Sequence, residues 1–173
     1  MHIIPHLKAT LLTICLCLAA SGMVRAQSAT APAEKPIASG MKMSVMLSPY
    51  TYHFNPKPTH RPVVLIGLER EYPNAKLDGV ALFKNSFGQP SIYVYPFGGV
   101  YKDIFNVNKL YFKWTAGLVY GYKGEFKNEV ANVGGIAPVV IIAAGYEFAP
   151  GWSAQVNTLG KAAAQLQLNI QID

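Results

Sequence analysis

The final stretch of the chain constrains its fold more than any other feature, because polar and aliphatic residues alternate without interruption from Gln165 to Ile172. Successive residues of a β-strand point to opposite faces. One face of this strand therefore carries two leucines and two isoleucines, and the other carries three glutamines and an asparagine. An apolar face opposite a polar face is typical of a strand in the wall of a membrane β-barrel.

The beginning of the chain has the pattern of a cleavable secretion signal. Lys8 precedes an apolar run from Ala9 to Ala20, and a small-residue ending follows at Ala26. The run is shorter than the roughly 20 apolar residues that a membrane-spanning helix needs. We therefore expect a signal peptide at 1–26, a flexible Ala-, Ser- and Pro-rich lead-in at 27–41, and a barrel domain at 42–173.

Composition excludes several classes of site and partner. Both cysteines, Cys15 and Cys17, lie inside the predicted signal peptide, so the mature chain has no thiol for a disulfide or a metal. Loss of Lys8 and Arg25 with that segment lowers the net charge from +6 to +4. A modest positive charge suits a lipid surface that carries phosphates but is too weak to predict nucleic-acid binding.

Turn residues divide the remainder of the chain into about eight segments of strand length. Eight is the smallest strand number of outer-membrane barrels. The sequence thus predicts an all-β, antiparallel, up-and-down transmembrane β-barrel, monomeric and located in a bacterial outer membrane. The predicted strands are Met43–Phe54, Pro62–Glu71, Leu77–Ser86, Pro90–Tyr101, Lys109–Tyr122, Gly135–Phe148, Trp152–Leu159 and Ala163–Ile172.

Loop lengths orient this barrel. Outer-membrane barrels have short periplasmic turns and longer external loops. The connection Lys123–Gly134 is long and is predicted to be external, whereas Ala149–Gly151 is short and is predicted to be periplasmic. Odd-numbered strands then run outward and even-numbered strands run inward.

The predicted outer half of the wall is apolar on both faces, for example at Val63–Ile66 and Ile136–Ile142. One face of each segment must then point into the lumen. An eight-stranded barrel is too narrow for an aqueous channel. The apolar side chains either leave a pocket for an acyl chain or plug the barrel, and the sequence leaves both alternatives open.

Two side chains on the predicted external rim suggest chemistry. His53 ends the first strand and Ser86 ends the third, so both are expected at the same end of the barrel. A serine hydroxyl within reach of an imidazole is the minimum arrangement for activated acyl transfer. The alternative is that both residues only hydrogen-bond loops or lipid phosphates. Lys57 and Arg61 are expected nearby, where they would bind phosphate groups.

Several short motifs, taken in order, resemble those of the outer-membrane lipid A palmitoyltransferases, and the likeness runs from about Pro49 to Ile172. The motifs are Tyr50-Thr51-Tyr52-His53, Arg61-Pro62, Leu82-Phe83-Lys84-Asn85-Ser86, Phe112-Lys113-Trp114-Thr115-Ala116-Gly117, Ile136-Ala137-Pro138-Val139-Val140 and Gly145-Tyr146. The resemblance implies an enzyme that moves a fatty acyl chain from a glycerophospholipid donor to lipid A or lipopolysaccharide, with no cofactor and no metal.

The resemblance also implies roles for individual residues. The family's catalytic histidine and serine match His53 and Ser86, but its aspartate matches Asn85. An amide can donate a hydrogen bond to an oxyanion but cannot supply negative charge to an imidazolium. The glycine at the floor of the family's acyl pocket matches Tyr95, which implies a shorter acyl chain than palmitate or none. A glutamate of the long loop, Glu125 or Glu129, is a candidate replacement for the aspartate.

Two other features bear on this function. Proline removes a backbone donor from a strand, so Pro49, Pro62 and Pro138 are candidates for lateral gaps through which lipid enters. Residues 27–40 lack the helical periodicity of the family's amphipathic N-terminal helix. The missing carboxylate keeps open the alternative of a non-catalytic lipid-binding or structural barrel. A lipid A deacylase is a third alternative, although its His-x-Ser pattern is not present at His53.

Overall fold

The computed structural model describes residues 40–172. The predicted signal peptide and almost all of the predicted lead-in lie outside the described residues. The described part forms one closed barrel in which each strand pairs with its neighbours in sequence and the last pairs with the first. All eight pairings are antiparallel. The predicted all-β, eight-stranded, up-and-down barrel is thereby confirmed as a fold.

The strands lie close to their predicted positions, and two short 3₁₀ helices, Ile104–Asn106 and Gly124–Asn128, lie in the connections. The strands are β1 (Lys42–His53), β2 (Leu65–Glu71), β3 (Leu77–Lys84), β4 (Pro90–Lys102), β5 (Leu110–Tyr120), β6 (Ile136–Ala149), β7 (Trp152–Leu159) and β8 (Ala163–Gln171). Strand β2 begins three residues later than predicted, at Leu65, because pairing with β1 ends at Ser48 opposite Leu65. No helix among residues 40–172 is long and apolar enough to cross a membrane.

Alternation along the strands separates the lumen from the outer surface. In β8 the side chains of Gln165, Gln167 and Asn169 are buried, whereas Leu166 is exposed on the outer surface. In β5 the buried side chains include Lys113, and Leu118 is exposed. The polar face predicted for β8 therefore lines the interior of the barrel, and the side chains of β5 alternate in the same way.

The barrel has two rims, which we define by their connections. The upper rim carries residues 54–64, 85–89, 121–135 and 160–162. The lower rim carries residues 72–76, 103–109 and 150–151. The long predicted loop is part of the upper rim, and the tight turn before β7 is part of the lower rim.

Polar side chains line the lower half of the lumen. Glu69 of β2 and Lys113 of β5 form an ion pair of 2.6 Å in which each side chain is only 8% exposed. The hydroxyl of Tyr95 donates to the other carboxylate oxygen of Glu69 at 2.9 Å. A second network is a ladder of amides from β7 and β8, formed by Gln155, Asn157, Gln165, Gln167 and Asn169. Hydrogen-bonded groups therefore line the lower lumen, around a space of about 280 Å³ towards the lower rim.

The outer surface of the wall is strongly apolar. Exposed aliphatic side chains cover its middle: Ile66, Leu82, Val94, Leu118, Val140, Ile142, Val156 and Leu166. Exposed aromatic side chains lie towards both rims: Tyr50, Tyr52, Phe54 and Tyr120 above, and Tyr101, Tyr146, Phe148 and Trp152 below. An aliphatic band between two belts of aromatic residues is the surface pattern of barrels that lie in lipid.

Candidate functional site

The two side chains predicted to meet at the upper rim lie within hydrogen-bonding distance. His53 is the last residue of β1, and Ser86 lies in the turn after β3. The Nε2 atom of His53 lies 2.6 Å from the Oγ atom of Ser86. This distance is at the short end of the range for a hydrogen bond between a general base and a nucleophile.

The backbone of Ser86 is fixed by its neighbours in the fold. The Arg61 backbone N–H donates to the Ser86 carbonyl at 2.7 Å. The side-chain oxygen of Asn85 accepts hydrogen bonds from the backbone N–H groups of Phe87 and Gln89 at 3.0 and 3.1 Å. Asn85 is fully buried, and these bonds make it the organiser of the turn that presents the serine.

Asn85, which matches the aspartate of the resembling family, has two further features relevant to catalysis. The Asn85 side-chain amide lies 3.4 Å from Gln89 Oε1 and 3.5 Å from the Gly121 carbonyl, so its N–H groups are only weakly bonded. Asn85 also lines the cavity below Ser86. The amide is therefore available to a negatively charged oxygen in that cavity.

A second histidine, which the sequence analysis did not assign to the site, lies against the first. The rings of His53 and His60 are 4.4 Å apart between centroids. The backbone N–H of Lys57 donates to His60 Nδ1 at 3.3 Å. Burial lowers the pKa of His53 below its ordinary value, and the nearby charge of His60 lowers it further. At neutral pH His53 is therefore the uncharged imidazole that a base requires.

An apolar cavity of about 400 Å³ opens beneath His53 and Ser86. Its wall consists mainly of aliphatic and aromatic side chains from β2, β3, β5, β6 and the connection that precedes β2. They include Val63, Leu65, Phe83, Val119, Ala137, Val139 and Ile141. Of the two alternatives for the apolar lumen, a pocket occurs in the upper half, while the lower half is lined by polar groups.

The floor of this cavity is built from two stacked tyrosines. Tyr93 lines the cavity, and its ring lies 5.0 Å from that of Tyr95 in a stacked arrangement. Tyr95 does not line the cavity and lies one layer deeper, where it contacts Glu69. Gly79 leaves room for the Tyr95 ring, because a Cβ atom there would lie 2.3 Å from the hydroxyl oxygen. The tyrosine matched to the family's floor glycine thus supports the floor from below.

Pairing between neighbouring strands stops short of the upper rim at two places in the wall. Strands β6 and β7 pair only up to Ile142 opposite Thr158, which leaves Pro138 and its neighbours without a partner in β7. Val140 points outward, is 61% exposed and still lines the cavity. The cavity therefore opens sideways at this gap.

The second gap lies between β1 and β2. Their pairing stops at Ser48, so Pro49 and the residues up to His53 have no partner in β2. Pro49 lies in a bulge against β8, where the Ser48 hydroxyl donates to the Leu166 carbonyl at 2.7 Å. The sequence prediction of interrupted pairing beside these prolines agrees with the observed register.

A smaller compartment of about 220 Å³ lies on the loop side of His53 and Ser86. Its lining includes the polar side chains of Asn55, Lys57, His60 and Glu129 and the aromatic rings of Phe87 and Tyr122. Two of these residues, Lys57 and Glu129, form an ion pair of 2.9 Å. We call this space the loop compartment. His53, Ser86 and Tyr122 border both it and the apolar cavity.

Aromatic residues that the sequence analysis did not select hold the loops over the site. Phe87 stacks on Phe126 with 4.1 Å between ring centroids, and the edge of His60 meets Phe87. Tyr122 lies beside Phe87, and burial raises its pKa, with a further contribution from the charge of Glu129. Tyr122 is therefore an uncharged hydroxyl at the junction of the two spaces. In the sequence, the only sign of these ring contacts is that the connections 85–89 and 121–135 contain aromatic residues.

The remaining predicted site residues fall into two groups. Lys57 lines the loop compartment, and its role in binding phosphate stays a prediction. Arg61 reaches Ser86 through its backbone, and its guanidinium does not border either space. Within residues 40–172, no three His, Cys, Asp or Glu side chains are grouped so that they could hold a metal ion.

Comparison of the chain with protein-family models gives no match, and comparison with curated proteins gives none either.

Proposed function

We propose that this protein is an outer-membrane acyltransferase that moves a fatty acyl chain from a glycerophospholipid to lipid A. The observation that supports this most directly is the position of the His53–Ser86 pair at the junction of the apolar cavity and the loop compartment, whose lining includes the charged side chains of Lys57 and Glu129. An acyl transferase must hold a hydrocarbon chain and a polar acceptor on either side of its nucleophile. The resemblance to the lipid A palmitoyltransferases leads to the same reaction.

Location in a membrane is part of the proposal and is supported by the outer surface. The exposed aliphatic band lies between two belts of aromatic side chains, which is the surface pattern of a barrel wall in lipid. Such a surface would be unstable in water, because monomeric soluble proteins rarely expose continuous apolar areas of this extent. In this arrangement the upper rim faces outward, and both lateral gaps lie at the level of the outer leaflet.

The donor would enter sideways through the gap between β6 and β7. Val140 borders both the outer surface and the cavity at this gap, so an acyl chain passes from lipid into the lumen without crossing water. The ester carbonyl then stops at Ser86, and the chain extends towards Tyr93. Because two tyrosines close the cavity below, we expect a donor chain shorter than palmitate.

The reaction would proceed in two balanced steps. Ser86 Oγ attacks the donor ester carbonyl while His53 Nε2 takes its proton, and the departing lysophospholipid oxygen receives that proton from His53. An acyl ester on Ser86 results. The acceptor hydroxyl then loses its proton to His53 and attacks this ester, and Ser86 Oγ recovers the proton as it leaves.

Asn85 would stabilise the tetrahedral oxyanion through its weakly bonded amide N–H groups. No carboxylate bonds to His53 among the described residues, so the imidazolium formed in each step lacks a negative partner. We therefore expect slow turnover compared with a site that has an aspartate. This same absence is the observation that favours the second candidate, a lipid-binding barrel without catalytic activity.

Mass spectrometry of lipid A from cells with and without the gene tests the proposal. A species heavier by one acyl chain supports transfer. A lighter species indicates deacylation, and an unchanged profile favours the non-catalytic barrel. With purified protein, Ser86→Ala should abolish transfer, whereas Ser44→Ala, on the inner face of β1 near the other rim, should retain it. Retained activity in Ser86→Ala would remove this serine from the mechanism.

A further inference from the structure

The loops of the upper rim carry an excess of positive charge. Their basic residues are Lys57, Arg61, Lys123, Lys127 and Lys161, and their acidic residues are Glu125 and Glu129. Such an excess attracts phosphate groups from any source without positioning one of them. A position for a phosphate requires a cation that borders the site itself.

Lys57 is the one basic residue of these loops, within the described chain, that lines the loop compartment beside His53 and Ser86. Its ammonium group contacts both oxygens of the Glu129 carboxylate, at 2.9 and 3.1 Å. Glu129 is the acidic residue in the same lining. The ammonium group in the lining of the loop compartment is thus paired with a carboxylate from the loop between β5 and β6.

Breaking this ion pair costs little free energy. The two side chains are 53% and 37% exposed, so water already solvates both charges. Exposed pairs of this kind contribute roughly 0–1 kcal/mol to stability. A phosphate monoester carries more charge than a carboxylate and offers three acceptor oxygens. Phosphate can therefore displace Glu129 from Lys57 with little loss of loop stability.

We propose that the loop compartment is the acceptor site, that it selects an acceptor bearing a phosphate, and that Lys57 exchanges Glu129 for this phosphate when the acceptor binds. The inference rests on the proposed function and deepens it. Glu129 acts here as a competitor for Lys57 rather than as a substitute for the aspartate of the resembling family. An acceptor held in this way has its hydroxyl next to His53, because His53 borders the same space.

The test compares two acceptors and two variants that both break the ion pair. The acceptors are an acylated glucosamine disaccharide with its phosphates and the same molecule without them, and a glycerophospholipid is the donor. Lys57→Gln should raise KM for the phosphorylated acceptor by about tenfold, because a charge-assisted hydrogen bond is lost. It should leave kcat, and KM for the acceptor without phosphates, nearly unchanged.

Glu129→Gln should have the opposite effect and lower KM for the phosphorylated acceptor about threefold, since the competitor is removed. Lys161→Gln, in an upper loop but outside the compartment, and Glu147→Gln, at the lower rim, are the matched controls. Inorganic phosphate should inhibit only at concentrations far above KM if the site requires the whole acceptor. If both pair-breaking variants change KM in the same direction, the ion pair only holds the loops and the proposal is wrong.

A binding measurement separates this proposal from the proposed function. Native mass spectrometry of Ser86→Ala protein in detergent reports retention of each acceptor without turnover. Preference for the phosphorylated form that disappears in Ser86→Ala/Lys57→Gln supports the acceptor site, even if wild-type protein transfers no acyl group. Equal retention of both forms contradicts the acceptor site, even if transfer is observed.

Discussion

The upper and lower halves of the same lumen are built on opposite principles. Above Tyr93 the interior is apolar and holds a cavity of about 400 Å³. Below it the interior is polar, with a space of about 40 Å³ beside Tyr93 and one of about 280 Å³ towards the lower rim. The Glu69–Lys113 pair and the amides of β7 and β8 line that half and hydrogen-bond to one another.

The difference shows how one short barrel can be both stable and hollow. An empty apolar cavity contributes no packing contacts across its centre. The lower half must therefore supply the interactions that hold opposite walls together, and the Glu69–Lys113 pair does so between β2 and β5. We expect substitutions below Tyr93 to act mainly on stability and substitutions above it to act mainly on activity.

The largest effect on stability is expected from Glu69→Gln. This change leaves Lys113 buried without a counter-charge, which typically costs about 3–5 kcal/mol. Urea unfolding of the barrel in lipid vesicles measures this loss. The double variant Glu69→Gln/Lys113→Met should recover much of it, because no unpaired charge remains.

Glu71→Gln is the matched control for Glu69→Gln. Glu71 lies two residues further along β2 and pairs with Lys102, but this pair is partly exposed. Exposed pairs contribute about 0–1 kcal/mol, so the variant should unfold almost as the wild type does. Equal losses for Glu69→Gln and Glu71→Gln would show that burial of the first pair does not matter.

Sequence periodicity was sufficient for the fold and for half of the site. Alternation in β8 predicted which of its side chains face the lumen, and strand topology predicted that His53 and Ser86 lie at one rim. Both are consequences of local geometry repeated along a strand. Proximity between residues that are far apart in sequence can thus be predicted when it follows from strand order alone.

The remainder of the site depends on contacts that no periodicity encodes. His60 and Phe126 lie in loops, and their positions follow from ring packing between different connections. The sequence also could not predict the depth of the cavity floor. Tyr93 and Tyr95 both face inward, and only the order in which their rings stack shows which one borders the cavity. The function of Asn85 in the turn likewise required its hydrogen bonds.

The second largest effect, now on activity, is expected from filling the upper cavity with Val139→Phe. Val139 lines the cavity from β6, and a phenyl ring there would occupy the volume of the acyl chain. Transfer should fall by more than about tenfold, which corresponds to roughly 1.4 kcal/mol. Ile142→Phe, on the outer face of the same strand, should leave transfer unchanged, and a similar loss in both variants would place the acyl chain elsewhere.

A smaller change, in selectivity rather than rate, is expected from the floor. Tyr93→Ala should shift donor preference to longer chains, because the ring that closes the cavity is removed. Tyr95→Ala should shift it less, since the Tyr93 ring remains above it. Competition among phospholipids of mixed chain length, read by mass spectrometry of the product, measures both shifts. If Tyr95→Ala has the larger effect, the chain reaches below Tyr93.

The smallest effect concerns pH and distinguishes the upper site from an ordinary rim histidine. His53 acts as a base only when uncharged, so kcat/KM should rise with pH through its pKa and be lost as pH falls below it. Because burial and His60 lower that pKa, the midpoint should lie below the ordinary value of about 6.5.

His60→Gln sharpens this test, because it removes one of the two causes and keeps the other. The midpoint should then move up towards the ordinary imidazole value, with little change in kcat at pH 8. The other ionisable groups that border His53 in the loop compartment are Lys57, Tyr122 and Glu129, so Lys127→Gln, outside it, is the control for general surface charge. A midpoint that does not move in His60→Gln would assign the whole shift to burial, and a wild-type midpoint above 6.5 would contradict a neutral His53 as the resting base.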